Sequence, residues 1–292
     1  MNIVIYYFSG TGNCLAVAKR VSAIIKGRIV PIPEVVNKES IEIGASSIGI
    51  VFPTYLPPVL GIPLIVERFV RKLGENKPKY LFAICTCGGY EIVNALPTLV
   101  NLSRIVKTVG GKLSARYSVR LPMNNLDYAH IPVPINTDQE TILSNCREKL
   151  EIFCRRIAEQ KAEKNRLLKS CFNLLMTPMY RIMRKSILVA LREYAKESED
   201  CALSYSELIP LTDRSIQVNE KCNGCAICKR VCPAQNIELV NNRPVWKHHC
   251  EMCFACDEWC PQSAIQHWSR AKGVKYHHPE VNLKDMLLKI EK

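Results

Sequence analysis

The sequence lacks the features that identify a secreted or a membrane-spanning protein. Its first residues, MNIVIYYF, have neither the basic region nor the small-residue cleavage site of a secretory signal, so we expect a cytoplasmic protein. Residues 44–66 are apolar and uncharged, yet prolines interrupt this run, which argues against a transmembrane helix. The interrupting residues are Pro53, Pro57, Pro58 and Pro63.

No segment concentrates the positive charge. The formal net charge of +13 divides into +7 for residues 1–150, +3 for 151–212 and +3 for 213–292. A chain that binds nucleic acid through its net charge usually gathers basic residues on one domain or stripe. We therefore expect no nucleic-acid partner.

Cysteine, by contrast, is abundant, and its spacing is uneven. The chain has 15 cysteines, eight of which fall between Cys222 and Cys260. In a reducing compartment such crowding indicates metal or redox chemistry rather than disulfides. For most of the other seven we expect the role of a small buried hydrophobe; they are Cys14, Cys85, Cys87, Cys146, Cys154, Cys171 and Cys201.

The crowded cysteines form an internal repeat. CNGCAICKRVCPAQNI (222–237) matches CEMCFACDEWCPQSAI (250–265) at an offset of 28 residues, and both read C-x2-C-x2-C-x3-C-P. This spacing is typical of bacterial ferredoxins with two [4Fe–4S] clusters, in which the fourth cysteine of each motif binds the other cluster. The pattern predicts Cys222, Cys225, Cys228 and Cys260 for cluster 1, and Cys232, Cys250, Cys253 and Cys256 for cluster 2.

A pair of structural zinc sites is the alternative. A zinc site needs only two cysteines from each C-x2-C knuckle, so the third cysteine and the C-P of each motif are surplus to it. His248 and His249 adjoin Cys250, but both predicted ligand sets are already complete. We interpret the two histidines as loop residues.

A strand, a glycine-rich turn and a helix open the chain. Residues 2–8 have the apolar run of a buried strand, SGTGNC (9–14) forms a turn, and 15–25 has apolar residues at helical spacing. Backbone N–H groups at such a helix start bind phosphate. The turn lacks the G-K-[ST] of a nucleotide-triphosphate loop and the third glycine of a dinucleotide loop. Its serine, threonine and asparagine instead resemble the flavodoxin loop for the FMN phosphate; a merely tight turn is the alternative.

The following residues predict a doubly wound parallel sheet. Strand-like runs recur at 28–32, 46–52, 79–85 and 112–121, with helices near 61–73 and 92–109. Five alternating units of this kind favour the strand order 2-1-3-4-5, with the ligand at the carboxyl ends of the first and third strands. Tyr55 and Tyr90, in the loops that leave strands three and four, either stack on a flavin ring or lie at the surface.

FSGTGN near one end and the doubled cysteine motif near the other resemble the flavodoxin–ferredoxin fusion proteins of anaerobic bacteria and archaea. The resemblance implies a flavodoxin-like FMN domain (1–160), a basic helical linker (161–212), an α+β dicluster ferredoxin domain (213–270) and a tail (271–292). It also implies electron transfer with redox partner proteins. The implied FMN-binding residues are Ser9, Gly10, Thr11, Gly12, Asn13, Cys14, Pro53, Thr54, Tyr55, Thr86, Cys87, Gly88, Gly89 and Tyr90.

Three expectations follow with alternatives. Cys14 stands where flavodoxins usually have a threonine, and a thiol is a weaker donor to phosphate. We expect an electron carrier, the alternative being a flavin-dependent reductase served by its own ferredoxin domain.

Residues 155–185 hold nine Lys/Arg and two Glu. We interpret this segment as a helix that covers the sheet, with membrane contact as the alternative; Pro178 breaks or kinks any continuous helix there.

Overall fold

The computed structural model describes residues 2–39, 41, 44–56, 61–73, 78–123, 138–163, 166–267 and 275–289, without the side chains of 166–170. Pro57, Pro58 and parts of the predicted linker, ferredoxin domain and tail lie outside these ranges. The described chain divides into two compact units. The first comprises residues 2–9, 13–123 and 138–183, and the second comprises residues 10–12, 184–267 and 275–289.

The first unit is built on a five-stranded parallel sheet. Its strands are β1 (Ile3–Tyr7), β2 (Arg28–Pro31), β3 (Ser47–Pro53), β4 (Tyr80–Cys87) and β5 (Ala115–Arg120). They lie in the order β2-β1-β3-β4-β5, and all four pairings are parallel. The predicted α/β class and strand order are confirmed, because this is the doubly wound order of the flavodoxin-like fold.

Four helices alternate with the strands: α1 (Asn13–Ile25), α2 (Leu64–Lys72), α3 (Glu91–Thr108) and α4 (Gln139–Ala158). Both faces of the sheet are covered, which explains why the central strands are apolar throughout rather than alternating. On one face Ile5 packs in a core with Val17 of α1 and Ile157 of α4. On the other, the Tyr6 ring lies 4.7 Å from the Phe69 ring of α2, centroid to centroid.

The basic segment forms helices α5 (Arg166–Leu175) and α6 (Thr177–Tyr194), so the chain breaks beside Pro178 as predicted. Pro178 lies in the first turn of α6, where a missing N–H removes no helical hydrogen bond. Among the described residues, no helix is long and apolar enough to cross a membrane.

Short elements make up the rest of the second unit. They are α7 (Tyr205–Leu211), β6 (Gln217–Val218), α8 (Ile227–Val231), β7 (Ile237–Val240), β8 (Arg243–Trp246), α9 (Ala255–Glu258), β9 (Ile265–Gln266) and α10 (Leu283–Met286). β6 pairs with β9 and β7 pairs with β8, both antiparallel. With so little regular structure, the loops between these elements decide where the cysteines lie.

Burial separates the scattered cysteines into inert and accessible thiols. Cys171 is exposed and Cys201 is half-buried, whereas the five cysteines of the sheet and its helices are buried. Burial raises the pKa of Cys14, Cys87, Cys146 and Cys154 to about 12, and that of Cys85 well above its usual value.

We expect alkylation to follow this division. Only the thiolate reacts, and the raised pKa values of these five buried thiols keep them protonated near pH 8. Iodoacetamide at about pH 8 should therefore label Cys171 in the native protein and spare Cys14, with all sites labelled in denaturant. Peptide mass spectrometry measures this. Labelling of Cys14 ahead of Cys171 in native protein would contradict the described core.

Candidate functional site

The two cysteine motifs share one backbone conformation. Gly224 and Met252, which are equivalent in the 28-residue repeat, have φ of 72° and 54°. Ala226 and Phe254, also equivalent, both have φ of 61°. Positive φ is uncommon for residues other than glycine, and for a bulky residue it marks a demanding local structure. Each motif therefore curls in the same way before its short helix begins.

The same offset recurs beyond the first three cysteines of each motif. The Asn236 N–H lies 3.3 Å from Cys232 Sγ, and the Ala264 N–H lies 3.3 Å from Cys260 Sγ. The two copies also exchange matched backbone bonds. Asn219 donates to the Ala264 carbonyl, and Lys247, 28 residues later, donates to the Asn236 carbonyl, both at 2.9 Å. The repeat seen in the sequence is thus a repeat of structure, with each copy bonded to the other.

One cavity collects the first cysteine set. It is lined by Cys222, Cys225, Cys228 and Cys260, together with apolar residues such as Leu239, Pro244 and Ile265. Among the described residues that line it, none is Asp, Glu, Lys, Arg or His. The first three cysteines of the first motif therefore line one cavity with the last cysteine of the second.

A second cavity collects the other set, with a different lining. Its cysteines are Cys232, Cys250, Cys253 and Cys256. Glu251 and His267 also line this cavity, and both are buried. The His267 ring lies edge-on to Phe254, 4.3 Å between centroids. The two cavities thus differ in charge and polarity although their cysteines are spaced alike.

Each cavity contains cysteines whose thiol pKa is raised by burial. Burial raises the pKa of Cys228 to about 11 and that of Cys253 well above its usual value. Metal ligation requires the thiolate, so binding at either cavity releases protons. Across the described parts of the chain, no group of three or more His, Cys, Asp or Glu residues is placed to hold a single metal ion.

A buried carboxylate organises the loop that leads into the second motif. Asp213 Oδ1 lies 2.6 Å from His248 Nδ1, and Asp213 Oδ2 accepts a hydrogen bond from Asn236 Nδ2 at 2.7 Å. Asn236 Oδ1 in turn accepts from the His249 N–H at 2.7 Å. Both histidines are thus tied into the loop before Cys250. Sequence reasoning missed Asp213 and Asn236, since neither is part of a cysteine motif.

The carboxyl ends of the parallel strands bring several predicted residues of the first unit to one edge of the sheet. The Thr54 N–H donates to the Thr86 carbonyl at 2.8 Å, which joins the residue after β3 to the end of β4. Cys14 Sγ lies 3.2 Å from Thr86 Oγ1, so the start of α1 meets the end of β4. Asn13 Nδ2 donates to the Pro122 carbonyl at 3.0 Å, beside the end of β5. Parallel strands make this convergence unavoidable.

Within the turn itself, the backbone is shaped for glycine. Gly12 has φ of +94°, a conformation that side chains rarely adopt, and α1 begins at the next residue. A helix start leaves backbone N–H groups without helical partners and carries a partial positive charge. The Cys14 thiol is buried in the core beside α4. The Cys14 thiol is therefore engaged with the Thr86 hydroxyl.

The two tyrosines occupy different environments. Tyr55 is half-buried, pairs with Gly61 through backbone hydrogen bonds of 3.0 and 2.8 Å, and has its ring edge-on to Phe8. Tyr90 is 77% exposed and directly precedes α3. Between them along the chain, Gly88 packs so closely on Met123 that a Cβ would lie 1.6 Å from its Cγ. Thr86 and Cys87 are buried at the end of β4.

No family model matches the chain, and no curated protein matches its sequence. The similar solved structures include flavodoxins that correspond to about half of the chain. A flavodoxin of Streptococcus pneumoniae TIGR4 is 16% identical, covering 55% of this chain and 99% of its own, with a TM-score of 0.36. The Fusobacterium nucleatum flavodoxin bound to flavin mononucleotide is 14% identical, with coverage of 55% and 98% and a TM-score of 0.36. Megasphaera elsdenii flavodoxin is 19% identical, covering 52% of this chain and 98% of its own, with a TM-score of 0.32.

The grouping of the cysteines predicts which substitutions act on the same centre. We expect Cys260→Ala to lower the iron of reconstituted protein from about eight to about four atoms. Because Cys225 shares the cavity of Cys260, Cys225→Ala added to Cys260→Ala should remove no further iron. Cys253 lines the other cavity, so Cys253→Ala added to Cys260→Ala should remove nearly all of it.

Colorimetric iron and sulfide determination on anaerobically reconstituted variants makes this measurement. Cys232→Ala is the matched control, because Cys232 lines the same cavity as Cys253. Adding Cys253→Ala to it should remove no further iron, whereas adding Cys225→Ala should remove nearly all of it. If Cys225→Ala and Cys253→Ala prove interchangeable in the Cys260→Ala background, the crossed grouping is wrong.

Proposed function

We propose that this protein transfers electrons, using two [4Fe–4S] clusters held by the cysteine cavities and an FMN held at the glycine turn. The observation that carries the proposal is the sorting of eight cysteines into two cavities of four, each completed by the last cysteine of the other motif. On this proposal the chain belongs with the flavodoxin–ferredoxin fusion proteins that its motifs resemble.

The donor sets fit cubane clusters better than zinc. Each cavity is lined by four cysteines, the number of protein ligands that a [4Fe–4S] cluster takes. A zinc site needs only two cysteines from each C-x2-C knuckle, so the third cysteine and the C-P of each motif are surplus to it. The N–H groups aimed at Cys232 and Cys260 are of the kind that tune cluster potentials.

The glycine turn fits a phosphate group. Gly12 has a positive φ that favours glycine, and the start of α1 supplies N–H donors and positive charge. Thr54, directly after β3, and Thr86, near the end of β4, meet at the same sheet edge, which is where doubly wound proteins bind their ligands. When bound, FMN would accept or donate one or two electrons. Cys14, engaged with Thr86, contributes packing rather than a donor.

The two cluster cavities should differ in reduction potential. Glu251 lines the second cavity and is buried, while its repeat equivalent, Asn223, lines the first. Reduction adds a negative charge, and a carboxylate close by in a poorly screened site opposes it. The second cluster should therefore be the harder of the two to reduce.

Stepwise anaerobic reduction, followed by absorbance and electron paramagnetic resonance, tests both the function and this order. We expect two cluster signals and one flavin transition. Glu251→Gln should raise one cluster potential by tens of millivolts, on the order expected for one partly screened charge, and leave the other unchanged. Asn223→Asp is the matched control, because it adds a carboxylate at the equivalent position of the first cavity and should lower the reduction potential of the first cluster. A carboxylate change that shifts both potentials equally would show that Glu251 does not act locally.

The turn makes a separate prediction for the flavin. We expect Gly12→Asp to abolish FMN binding, since it adds a side chain at a positive φ and a negative charge where phosphate would lie. Iron content should stay at the wild-type value. Gly44→Asp is the control, because nothing lies within 4 Å of a Cβ there. Flavin fluorescence titration measures the affinity, and unchanged FMN binding by the Gly12 variant would remove the turn from the proposal.

A further inference from the structure

The outward face of α6 carries apolar side chains. The inward side of the helix is marked by Leu191, which is buried, and by Arg184, whose guanidinium lies 4.9 Å from the centre of the Tyr205 ring. Ile182 lies nine residues before Leu191 and therefore points to the opposite side of the helix. Ile182 is 72% exposed, and Val189, two turns further on the same side, is 56% exposed.

This apolar surface extends beyond α6. Leu174 and Leu175 at the end of α5 are 71% and 76% exposed, and Met179 at the start of α6 is 37% exposed. Among the described residues, five of the eleven large hydrophobic side chains that are exposed fall between Leu174 and Val189. Single exposed hydrophobic residues are ordinary, whereas a concentration of them marks an interaction site. The segment interpreted as covering the sheet with a basic face to water therefore also exposes apolar side chains.

The charge of the two helices is positive except at Glu193, near the end of α6. Six Lys/Arg and no Asp or Glu lie between Arg166 and Arg192. Arg181 and Lys185 are exposed. Lys185 lies three residues after Ile182 and four before Val189, so it is their neighbour on the helix surface. The aliphatic side chains are bordered by cations, with no acidic residue among them. They therefore complement a surface that has an apolar interior and an anionic boundary.

We propose that α5 and α6 together bind the surface of a membrane that contains anionic lipid. Interfacial helices have this composition, in which the apolar side chains enter the acyl boundary and the cations meet the headgroups. A protein partner fits less well, because binding hot spots favour Trp, Tyr and Arg over Leu and Val, and the large exposed apolar side chains here are all aliphatic. The proposal stands independently of the cofactors proposed above.

The test uses the full-length protein with sucrose-loaded vesicles. We expect it to sediment with phosphatidylcholine vesicles that contain about one-third phosphatidylglycerol, and to stay in the supernatant with pure phosphatidylcholine. The double variant Ile182→Asp/Val189→Asp should lose at least about tenfold in partitioning, because it removes apolar burial and adds like charge to the lipid. Arg181→Gln/Lys185→Gln should lose roughly tenfold or more and bind with a weaker salt dependence.

The matched control is Ile24→Asp/Ile152→Asp, which places the same substitution on α1 and α4, where the side chains are 39% and 49% exposed. It should bind vesicles like the wild type, and far-ultraviolet circular dichroism checks that every variant is folded. Equal binding to neutral vesicles, no binding to anionic ones, or full binding by Ile182→Asp/Val189→Asp would each overturn the proposal. A dimer in analytical ultracentrifugation that Ile182→Asp/Val189→Asp disperses would overturn it too, by showing that a second copy covers this face.

Discussion

The second unit depends on one constraint, which is that Cys232 and Cys260 each line a cavity with three cysteines of the other motif. Cys260 belongs by sequence to the second motif and by position to the first cavity, and Cys232 does the reverse. Neither four-cysteine set is complete unless both copies of the repeat are folded and face each other. With few short helices and two-stranded ribbons, this unit has little regular structure of its own. A bound centre that draws ligands from both copies would supply the stability that so small a core lacks.

The first unit places its candidate site by different means. There the parallel order of the strands, not a shared ligand, gathers Thr54, Thr86 and the start of α1 at one edge. The sheet is fully covered and contributes rigidity, while the turn contributes one glycine conformation and the N–H groups of a helix start. The chemistry proposed for this edge therefore rests on backbone geometry, which tolerates changes of side chain such as cysteine at position 14.

Much of this architecture could be predicted from the sequence, because it depends on patterns of residues that are close together in the chain. The apolar runs and their spacing predicted the parallel sheet and its order, and the 28-residue repeat is the basis of the cluster-ligand assignment, which stays a prediction. What sequence reasoning missed depends on contacts between distant residues. Asp213 lies 35 residues before the histidine that it holds. The burial of Glu251 follows from folding of the loops around the second cavity. The exposure of Ile182 and Val189 has the same origin, since periodicity identifies an apolar stripe without saying whether anything covers it.

The central claim is that these cavities hold iron–sulfur clusters rather than isolated metal ions. Intact mass under native conditions, combined with an assay for acid-labile sulfide, tests it most directly on protein reconstituted anaerobically with iron, sulfide and zinc together. We predict about eight iron and about eight sulfide per chain, with zinc absent. Stoichiometric zinc without labile sulfide would contradict the account.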